Sequence, residues 1–285
     1  EIHRIIRIAA KTGITKVRIT GGEPLVRRGV VQFAASLHTI PELTDISLTT
    51  NGILLEDFAE GLFRAGIRRI NISLDSLDAE KYARITRGGD IRAVLRGIMK
   101  VRETGFTPIK INIVAIKGFN DDEILDFARL TLEHPYQIRF IELMPLGHAG
   151  IENDGLYLSN AFVRERIETL GPLEPVNSRG NGNDGPARMY RMKGGMGEIG
   201  FISPISSHFC RSCNRLRLTA DGQLRACLLS DNETDLKGPL RSDCGDGELM
   251  ALIEGAIARK PQHHEMACHE SQVKKCMKEM QQIGG

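Results

Sequence analysis

Short β-branched runs alternate with amphipathic helical segments along the first half of the chain, and this alternation constrains the fold more than any other feature. The predicted strands lie at residues 16–20, 45–50, 69–74, 109–116 and 137–143. Each gap between them is long enough to hold a helix, which is typical of parallel strands joined by crossover connections. We therefore expect an α/β fold in which polar and glycine-rich residues gather at one end of the strands.

Helical spacing of apolar residues fills the gaps between the strands and returns in the second half. The sequence predicts helices at 2–10, 56–65 and 92–104, stopped by Gly13, Gly66 and Gly105 respectively, and a further helix capped by Asp121 and Asp122. After about residue 147 the pattern changes, and we expect a helix at 159–170, a polar loop at 176–186, short strands within 190–202 and a helix at 248–258. We place a boundary there, with one domain at 1–150 and a second at 151–285.

Composition excludes several classes of protein. The 285-residue chain is 41% hydrophobic and 26% charged, which is typical of a globular protein and not of a disordered or fibrous one. A net charge of +2 and 5% aromatic residues disfavour nucleic acid as a partner. The longest uncharged stretch, residues 29–41, is shorter than the roughly 18 residues of a membrane span, so we expect no membrane partner.

Three cysteines have the spacing of metal ligands. Cys210 and Cys213 form a Cys-x-x-Cys pair, and Cys227 follows at a distance that a hairpin can close. Spacing alone leaves two alternatives, an iron–sulfur cluster or a structural zinc site with His208 as the fourth ligand. The remaining cysteines lack ligand spacing and are predicted bystanders: Cys244, Cys268 and Cys276.

Two arginines follow the cysteine pair directly. In the run Asn214–Arg215–Leu216–Arg217, the arginines project to the same face if the segment is a strand. Two guanidinium groups beside a metal ligand indicate an anionic ligand held there, although a solvated basic face is the alternative.

Basic residues also lie on otherwise apolar predicted strands, namely Arg18, Lys110 and Arg139. A buried basic side chain is costly unless it is paired, so these three indicate a shared anionic ligand. The alternative is that they pair with acidic residues such as Glu142.

The turn Gly21–Gly22–Glu23–Pro24 follows the first predicted strand. Two glycines let the backbone approach a ligand closely, and the carboxylate of Glu23 suits a cationic group. Asn51 and Asp75 also follow strands, where capping is the simpler interpretation.

Together these segments resemble the radical S-adenosylmethionine GTP 3′,8-cyclase family of molybdenum cofactor biosynthesis, over nearly the whole chain. The similar segments are KVRITGGEP at 16–24, LTTNG at 48–52, RINISLD at 69–75, QIRFIELMP at 137–145, residues 209–228 and the terminal Gly284–Gly285. The resemblance implies an incomplete (β/α)6 radical-SAM barrel, here without its first strand, followed by a C-terminal iron–sulfur cluster domain. It also favours iron–sulfur over zinc.

The resemblance implies roles on the S-adenosylmethionine side of the site. Gly21, Gly22 and Glu23 would hold the amino end of S-adenosylmethionine, and Ser73 and Met144 would contact its sugar and adenine.

On the substrate side, the resemblance implies that four residues line the GTP part of the barrel: Arg18, Thr49, Lys110 and Arg139. Three cysteines would ligate a [4Fe-4S] cluster whose fourth iron is free to bind guanine: Cys210, Cys213 and Cys227. The run Arg215–Leu216–Arg217 would bind GTP beside that cluster, with both arginines acting in catalysis.

The implied reaction is the cyclisation of GTP to (8S)-3′,8-cyclo-7,8-dihydroguanosine 5′-triphosphate, started by a 5′-deoxyadenosyl radical. The implied partners are a one-electron donor, a downstream cyclic pyranopterin monophosphate synthase and a second copy of the chain in a homodimer. We expect a cytoplasmic location in bacteria, or the mitochondrial matrix in a eukaryote. The alternatives are another radical enzyme with an auxiliary cluster and a non-enzymatic zinc-binding scaffold.

One family motif is expected upstream of residue 1. The family's second [4Fe-4S] cluster, which cleaves S-adenosylmethionine, is held by a Cys-x3-Cys-x2-Cys motif, whereas the first cysteine here is Cys210. We therefore expect these 285 residues to be an N-terminally shortened form that produces no 5′-deoxyadenosine. We also expect Gly284–Gly285 to matter more for turnover than for folding.

Overall fold

In a computed structural model of the chain, the structure describes residues 1–146, 155–176, 185–263 and 283. The helices are α1 (Ile2–Lys11), α2 (Val30–Leu37), α3 (Leu55–Arg64), α4 (Ala79–Thr86), α5 (Ile91–Thr104), α6 (Ile124–Glu133), α7 (Asn160–Glu168), α8 (Lys237–Arg241) and α9 (Asp246–Ala258). The strands are β1 (Lys16–Ile19), β2 (Asp45–Thr50), β3 (Arg69–Ser73), β4 (Ile109–Ala115), β5 (Tyr136–Glu142), β6 (Leu173–Pro175), β7 (Arg188–Met192), β8 (Glu198–Ile202), β9 (Arg217–Leu218), β10 (Gln223–Arg225) and β11 (Glu233–Asp235). No helix among these residues is long and apolar enough to cross a membrane.

The chain divides into two compact units that are not continuous in sequence. The first unit comprises residues 1–46, 145–152 and 210–285, and the second comprises 47–144 and 153–209. The first therefore contains β1, the glycine turn and the cysteine-rich segment. The second contains most of the parallel sheet.

Parallel pairing dominates the sheet of the second unit, as the crossover spacing predicts. The strands β2, β3, β4, β5 and β8 lie side by side in that order, each parallel to the next. β7 and β6 then extend the sheet in antiparallel fashion. The predicted α/β class is confirmed.

The two faces of this sheet differ in chemistry because side chains alternate along each strand. One face consists of buried aliphatic and aromatic residues, including Leu48, Ile70, Ile72, Ile111 and Phe140. Helices α3 and α5 pack against each other, and α6 packs on β5. The opposite face is lined with polar side chains. A sheet face that only packed against helices would be apolar, so packing does not explain these polar residues.

The first unit has a separate apolar core. Helix α1 packs on α9, and their buried residues meet a small antiparallel sheet of β9, β10 and β11. The core residues are Ile5, Ile8, Leu224, Leu236, Leu249, Ile253 and Ala256. β9 and β10 take part in this core through Leu218 and Leu224.

The predicted elements of the first half lie within a residue or two of the observed ones, but one predicted cap is wrong. Asp121 and Asp122 do not cap α6, whose N-cap is Glu123. Instead, Asp121 Oδ1 accepts a hydrogen bond from the Gly118 amide at 2.9 Å, and Asp122 forms an ion pair with Lys81 at 2.7 Å. Both carboxylates are thus used before the helix begins.

Candidate functional site

A glycine turn connects β1 to a short 3-10 segment in the first unit. Gly21 has φ +145, a conformation that side chains with a Cβ rarely adopt, and a Cβ at Gly21 or Gly22 would meet nothing within 4 Å. Pro24 begins the 3-10 segment Pro24–Val26, and Glu23 Oε1 accepts a hydrogen bond from the Leu25 amide at 3.0 Å. The turn therefore presents exposed backbone and a carboxylate held at its base.

The cysteine pair lies on a single 3-10 turn. Cys210 begins the turn Cys210–Ser212, and the Cys213 amide donates to the Cys210 carbonyl at 3.0 Å. Both thiols and that of Cys227 are half-buried, and none of these three cysteines is in a disulfide. The donor set is thus free to bind soft metal ions.

A hairpin directs Cys227 back toward the pair. β9 and β10 are antiparallel, with Arg217 opposite Arg225, so the same register continued by two residues places Arg215 opposite Cys227. Arg225 is fully buried and anchors the returning strand, since its guanidinium forms an ion pair with Glu233 at 3.0 Å. The hairpin explains why a third cysteine follows the pair at this distance.

Three arginines of the first unit share one electrostatic environment. Burial, as the largest cause, and the positive charges of Arg215 and Arg18 together lower the pKa of Arg217 to about 10, against the opposing influence of Cys213 and Cys227. Burial also lowers the pKa of Arg215, against the opposing influence of Cys213. Like charges held together in this way are stabilised by a polyanion.

In the part of the chain that the structure describes, the surroundings of His208 do not support a site for a single metal ion such as zinc. Its Nδ1 lies 3.0 Å from the Pro204 carbonyl oxygen. Within the described ranges, no three His, Cys, Asp or Glu side chains lie close enough together to hold one metal ion. Cysteines that ligate a cluster bind different iron atoms, so they need not converge on a single point.

The polar face of the second unit brings together the residues predicted on its strands. Thr49 is opposite Asn71, which is opposite Lys110, and Ser73 on the same face is one row further along β3. Arg139 lies in the row of Ser73 and faces Gly200, where a Cβ would come within 3.2 Å of the Arg139 side chain. Lys110 and Arg139 are 6% and 5% exposed, so this face holds two buried cations.

Two asparagines of the same face were not predicted as site residues. Asn71 donates from Nδ2 to the Leu48 carbonyl at 3.2 Å, and Asn112 lies opposite both Ser73 and Arg139. Their buried side-chain oxygens accept no hydrogen bond from any residue that the structure describes. The available signal was the alternation of Lys110 and Asn112 with isoleucines, which places both on one face of β4.

Glu142 was considered as an acidic partner for the basic residues on the strands, but its hydrogen bonds serve a different structural purpose. Its buried carboxylate accepts the amides of Asn160, Ile205 and Ser206 at 2.9 to 3.1 Å, and also the Ser206 hydroxyl. These bonds fix the start of α7 and the loop after β8.

The remaining predicted residues are distributed as follows. Met144 is half-buried just after β5, and the half-buried Cys244 packs against the apolar core of the first unit. The bystander positions Cys268 and Cys276, and the tail Gly284–Gly285, lie outside the described residues.

Asp75 follows β3, as predicted, and its bonds are structural. Its Oδ1 accepts the Val114 amide at 2.8 Å, and its backbone carbonyl accepts from Asn120. Burial raises the pKa of the Asp75 carboxyl from 3.8 to about 6, against the opposing effect of the Val114 hydrogen bond. The folded protein therefore binds this proton more tightly than the unfolded chain does.

This shift predicts a pH-dependent stability change on replacing Asp75 by asparagine. The carboxyl's favourable contribution is complete below about pH 4 and is lost as the pH rises through about 6. Asp75→Asn keeps an acceptor for the Val114 amide, so we expect it to stabilise the protein at pH 8 by up to about 3 kcal/mol relative to its effect at low pH. Urea unfolding at pH 5 and pH 8 samples about half of this difference, about 1.4 kcal/mol, and equal effects at both pH values would contradict it.

Family models match both halves of the chain. Residues 1–131 match the Radical SAM superfamily model, and residues 136–266 match the Molybdenum Cofactor Synthesis C model. The second match includes the cysteine pair, the hairpin and Cys227.

Curated relatives match the chain from end to end. A GTP 3′,8-cyclase from Moorella thermoacetica is 50% identical over 100% of this chain and 86% of its own length. One from Listeria monocytogenes is 48% identical over the same shares of the two chains. Among solved structures, Streptococcus suis SuiB bound to S-adenosylmethionine has a TM-score of 0.55 at 14% identity, over 92% of this chain and 68% of that one, which concerns the fold alone.

Proposed function

The chain belongs to the GTP 3′,8-cyclase family of radical SAM enzymes, and we propose that its first unit binds GTP at an iron–sulfur cluster held by its own cysteines. The family reaction is the S-adenosylmethionine-dependent radical cyclisation of GTP in molybdenum cofactor biosynthesis. Its cofactors are [4Fe-4S] clusters and S-adenosylmethionine. What this chain's residues contribute is binding, orientation and exclusion of water.

We assign one [4Fe-4S] cluster to Cys210, Cys213 and Cys227. The assignment is supported by the 3-10 turn that holds the pair and by the hairpin that returns Cys227 toward it. Three thiolates would leave one iron of a four-iron cluster without a protein ligand, and that iron would supply a coordination site for the guanine of GTP.

Arg215 and Arg217 are proposed to hold GTP beside that cluster, and Arg18 to add positive charge. The observation that carries this proposal is the hairpin register, which holds Arg217 on β9 and, continued by two residues, places Arg215 opposite Cys227. Planar guanidinium groups bind phosphate oxygens and base edges in a defined direction, which a lysine ammonium does not do.

The glycine turn is proposed to bind S-adenosylmethionine through its amino-acid end. Gly21 and Gly22 leave open space beside the backbone, and Glu23 offers a carboxylate to the substrate's ammonium group. In the second unit, we assign Ser73 to the sugar of S-adenosylmethionine and Met144 to its adenine.

The polar face of the second unit is proposed to bind the anionic part of GTP. Lys110 and Arg139 supply two buried positive charges, and Thr49 supplies a hydroxyl. The unused side-chain oxygens of Asn71 and Asn112 suit the hydroxyl donors of a nucleoside sugar.

The second cluster and the protein partners of the reaction are also proposals. We propose a second [4Fe-4S] cluster that cleaves S-adenosylmethionine, a one-electron donor, a homodimer and a downstream cyclic pyranopterin monophosphate synthase. We also propose that residues 1–150 form a partial radical-SAM barrel and residues 151–285 a C-terminal cluster and substrate-binding domain, which the ranges of the two family models support.

The arginine proposal is tested by anaerobic calorimetric titration of GTP. We expect Arg215→Ala and Arg217→Ala each to weaken binding by on the order of 1.5 to 3 kcal/mol, the range for hydrogen bonds to charged groups. Arg217→Lys keeps the charge but loses the planar fork, so we expect it to bind GTP more weakly than the wild type.

A matched control is Arg211→Ala, which removes an exposed guanidinium within the same cysteine turn. We expect its GTP affinity to equal that of the wild type. Wild-type GTP affinity in all four variants would favour the alternative that Arg215 and Arg217 form a solvated basic face.

A further inference from the structure

Lys260 joins the two cysteine-bearing segments of the first unit through its side chain. It follows α9 and is half-buried, and its Nζ donates to the Arg215 carbonyl at 2.7 Å and to the Ala226 carbonyl at 2.5 Å. One ammonium group therefore bridges the segment after Cys213 and the segment that leads into Cys227.

The position of this bridge matters because the hairpin ladder ends before it. The pairing between β9 and β10 stops at Arg217 and Arg225, so Arg215 and Cys227 lie beyond the last strand pair. Within a hairpin, chain segments beyond the last ladder bond separate easily unless another group joins them. Lys260 supplies that connection. It follows α9, whose buried face belongs to the core of the first unit.

The ammonium also acts on the peptide groups next to the proposed ligands. The carbonyl of Ala226 shares its peptide bond with the amide of Cys227, and the carbonyl of Arg215 shares its own with the amide of Leu216. A cation on the oxygen side polarises both peptide groups, which makes their N–H groups stronger donors. A nearby positive charge and stronger N–H donors both favour the reduced, more negative state of an iron–sulfur cluster.

We propose that Lys260 is a positioning residue for the cluster and GTP site, fixing Arg215 against Cys227 and raising the reduction potential of the cluster. This inference rests on the proposed cluster of Cys210, Cys213 and Cys227. The lysine touches neither GTP nor iron in this account, and it acts only through the two backbone segments.

The test compares Lys260→Met, Lys260→Arg and the control Lys237→Met, which removes an exposed lysine of the same unit. Each protein is reconstituted anaerobically with iron and sulfide. Iron content, GTP affinity by calorimetry and the midpoint potential of the cluster are then measured, with melting temperature as the check on folding.

We expect Lys260→Met to weaken GTP binding about tenfold, equivalent to about 1.4 kcal/mol, and to lower the midpoint potential. Lys260→Arg, which keeps the charge and the donors, is expected to restore both values toward those of the wild type, and Lys237→Met to change neither. If Lys260→Met loses iron while its melting temperature stays unchanged, rescue by Lys260→Arg supports the same role.

Wild-type GTP affinity and midpoint potential in Lys260→Met would overturn the inference. So would equal losses in Lys260→Met and Lys260→Arg. Failure of the underlying cluster proposal gives a different result. Full iron content in Cys227→Ser would show that these cysteines do not hold the cluster, whatever the Lys260 variants show.

Discussion

Replacing Cys227 by serine is expected to remove the iron and sulfide of one [4Fe-4S] cluster from the anaerobically reconstituted protein. Cys227 supplies the third thiolate just beyond the returning strand of the hairpin, and the Cys210–Cys213 turn alone offers only two. A hydroxyl is a poor replacement for a thiolate on iron. Iron and sulfide analysis, together with visible absorption, measures the loss.

Cys244→Ser is the matched control for this change. Cys244 is also a half-buried free cysteine of the first unit, but it packs against the apolar core and has no ligand spacing. Its iron content should equal that of the wild type. An unchanged iron content in Cys227→Ser, or zinc without sulfide in the wild type, would contradict the cluster assignment.

The second large effect is expected in the stability of the second unit, on replacing Glu142 by alanine. The change would leave the amides of Asn160, Ile205 and Ser206 without their acceptor. The Asn160 amide bond is buried, whereas Ile205 is half-buried and Ser206 is exposed. An unsatisfied buried donor costs about 1 to 3 kcal/mol, so we expect a loss of about that size in the free energy of unfolding. Urea unfolding at neutral pH measures it.

Two further variants set the scale for this loss. Glu142→Gln keeps one acceptor oxygen and should fall between the wild type and Glu142→Ala. Glu168→Ala removes an exposed carboxylate that pairs with Arg164 within α7, and it should cost less than about 1 kcal/mol. A Glu142→Ala protein as stable as Glu168→Ala would show that these hydrogen bonds contribute little.

The parallel sheet was predictable because its information is local. Runs such as 109–116 are β-branched and bounded by helical segments, so both the strands and their parallel order follow from spacing. The cysteine turn was predictable for the same reason, since Cys210 and Cys213 are close in sequence.

Features that depend on contacts distant in sequence were not predictable. Asp121 and Asp122 have the composition of a helix cap, but bonds to Gly118 and Lys81 use their carboxylates. Lys260 gives no motif signal, because its role depends on carbonyl groups 34 and 45 residues away. Backbone acceptors carry no side-chain identity, so a sequence pattern cannot mark them.

The polar face of the sheet was predictable only in part. Lys110 and Arg139 were singled out because a basic residue in an apolar strand is costly. Asn71 and Asn112 complete the same face, but an asparagine in a strand is ambiguous until the register shows what lies beside it.

The most direct test of the central claim is the electron paramagnetic resonance signal of the reduced cluster proposed at Cys210, Cys213 and Cys227, recorded with unlabelled and with 15N-labelled GTP. If guanine binds the iron that lacks a thiolate, GTP should change the signal, and the label should alter its nitrogen coupling. The change should require more GTP in Arg217→Ala than in Arg211→Ala. A signal that GTP leaves unchanged at saturating concentration would contradict the account.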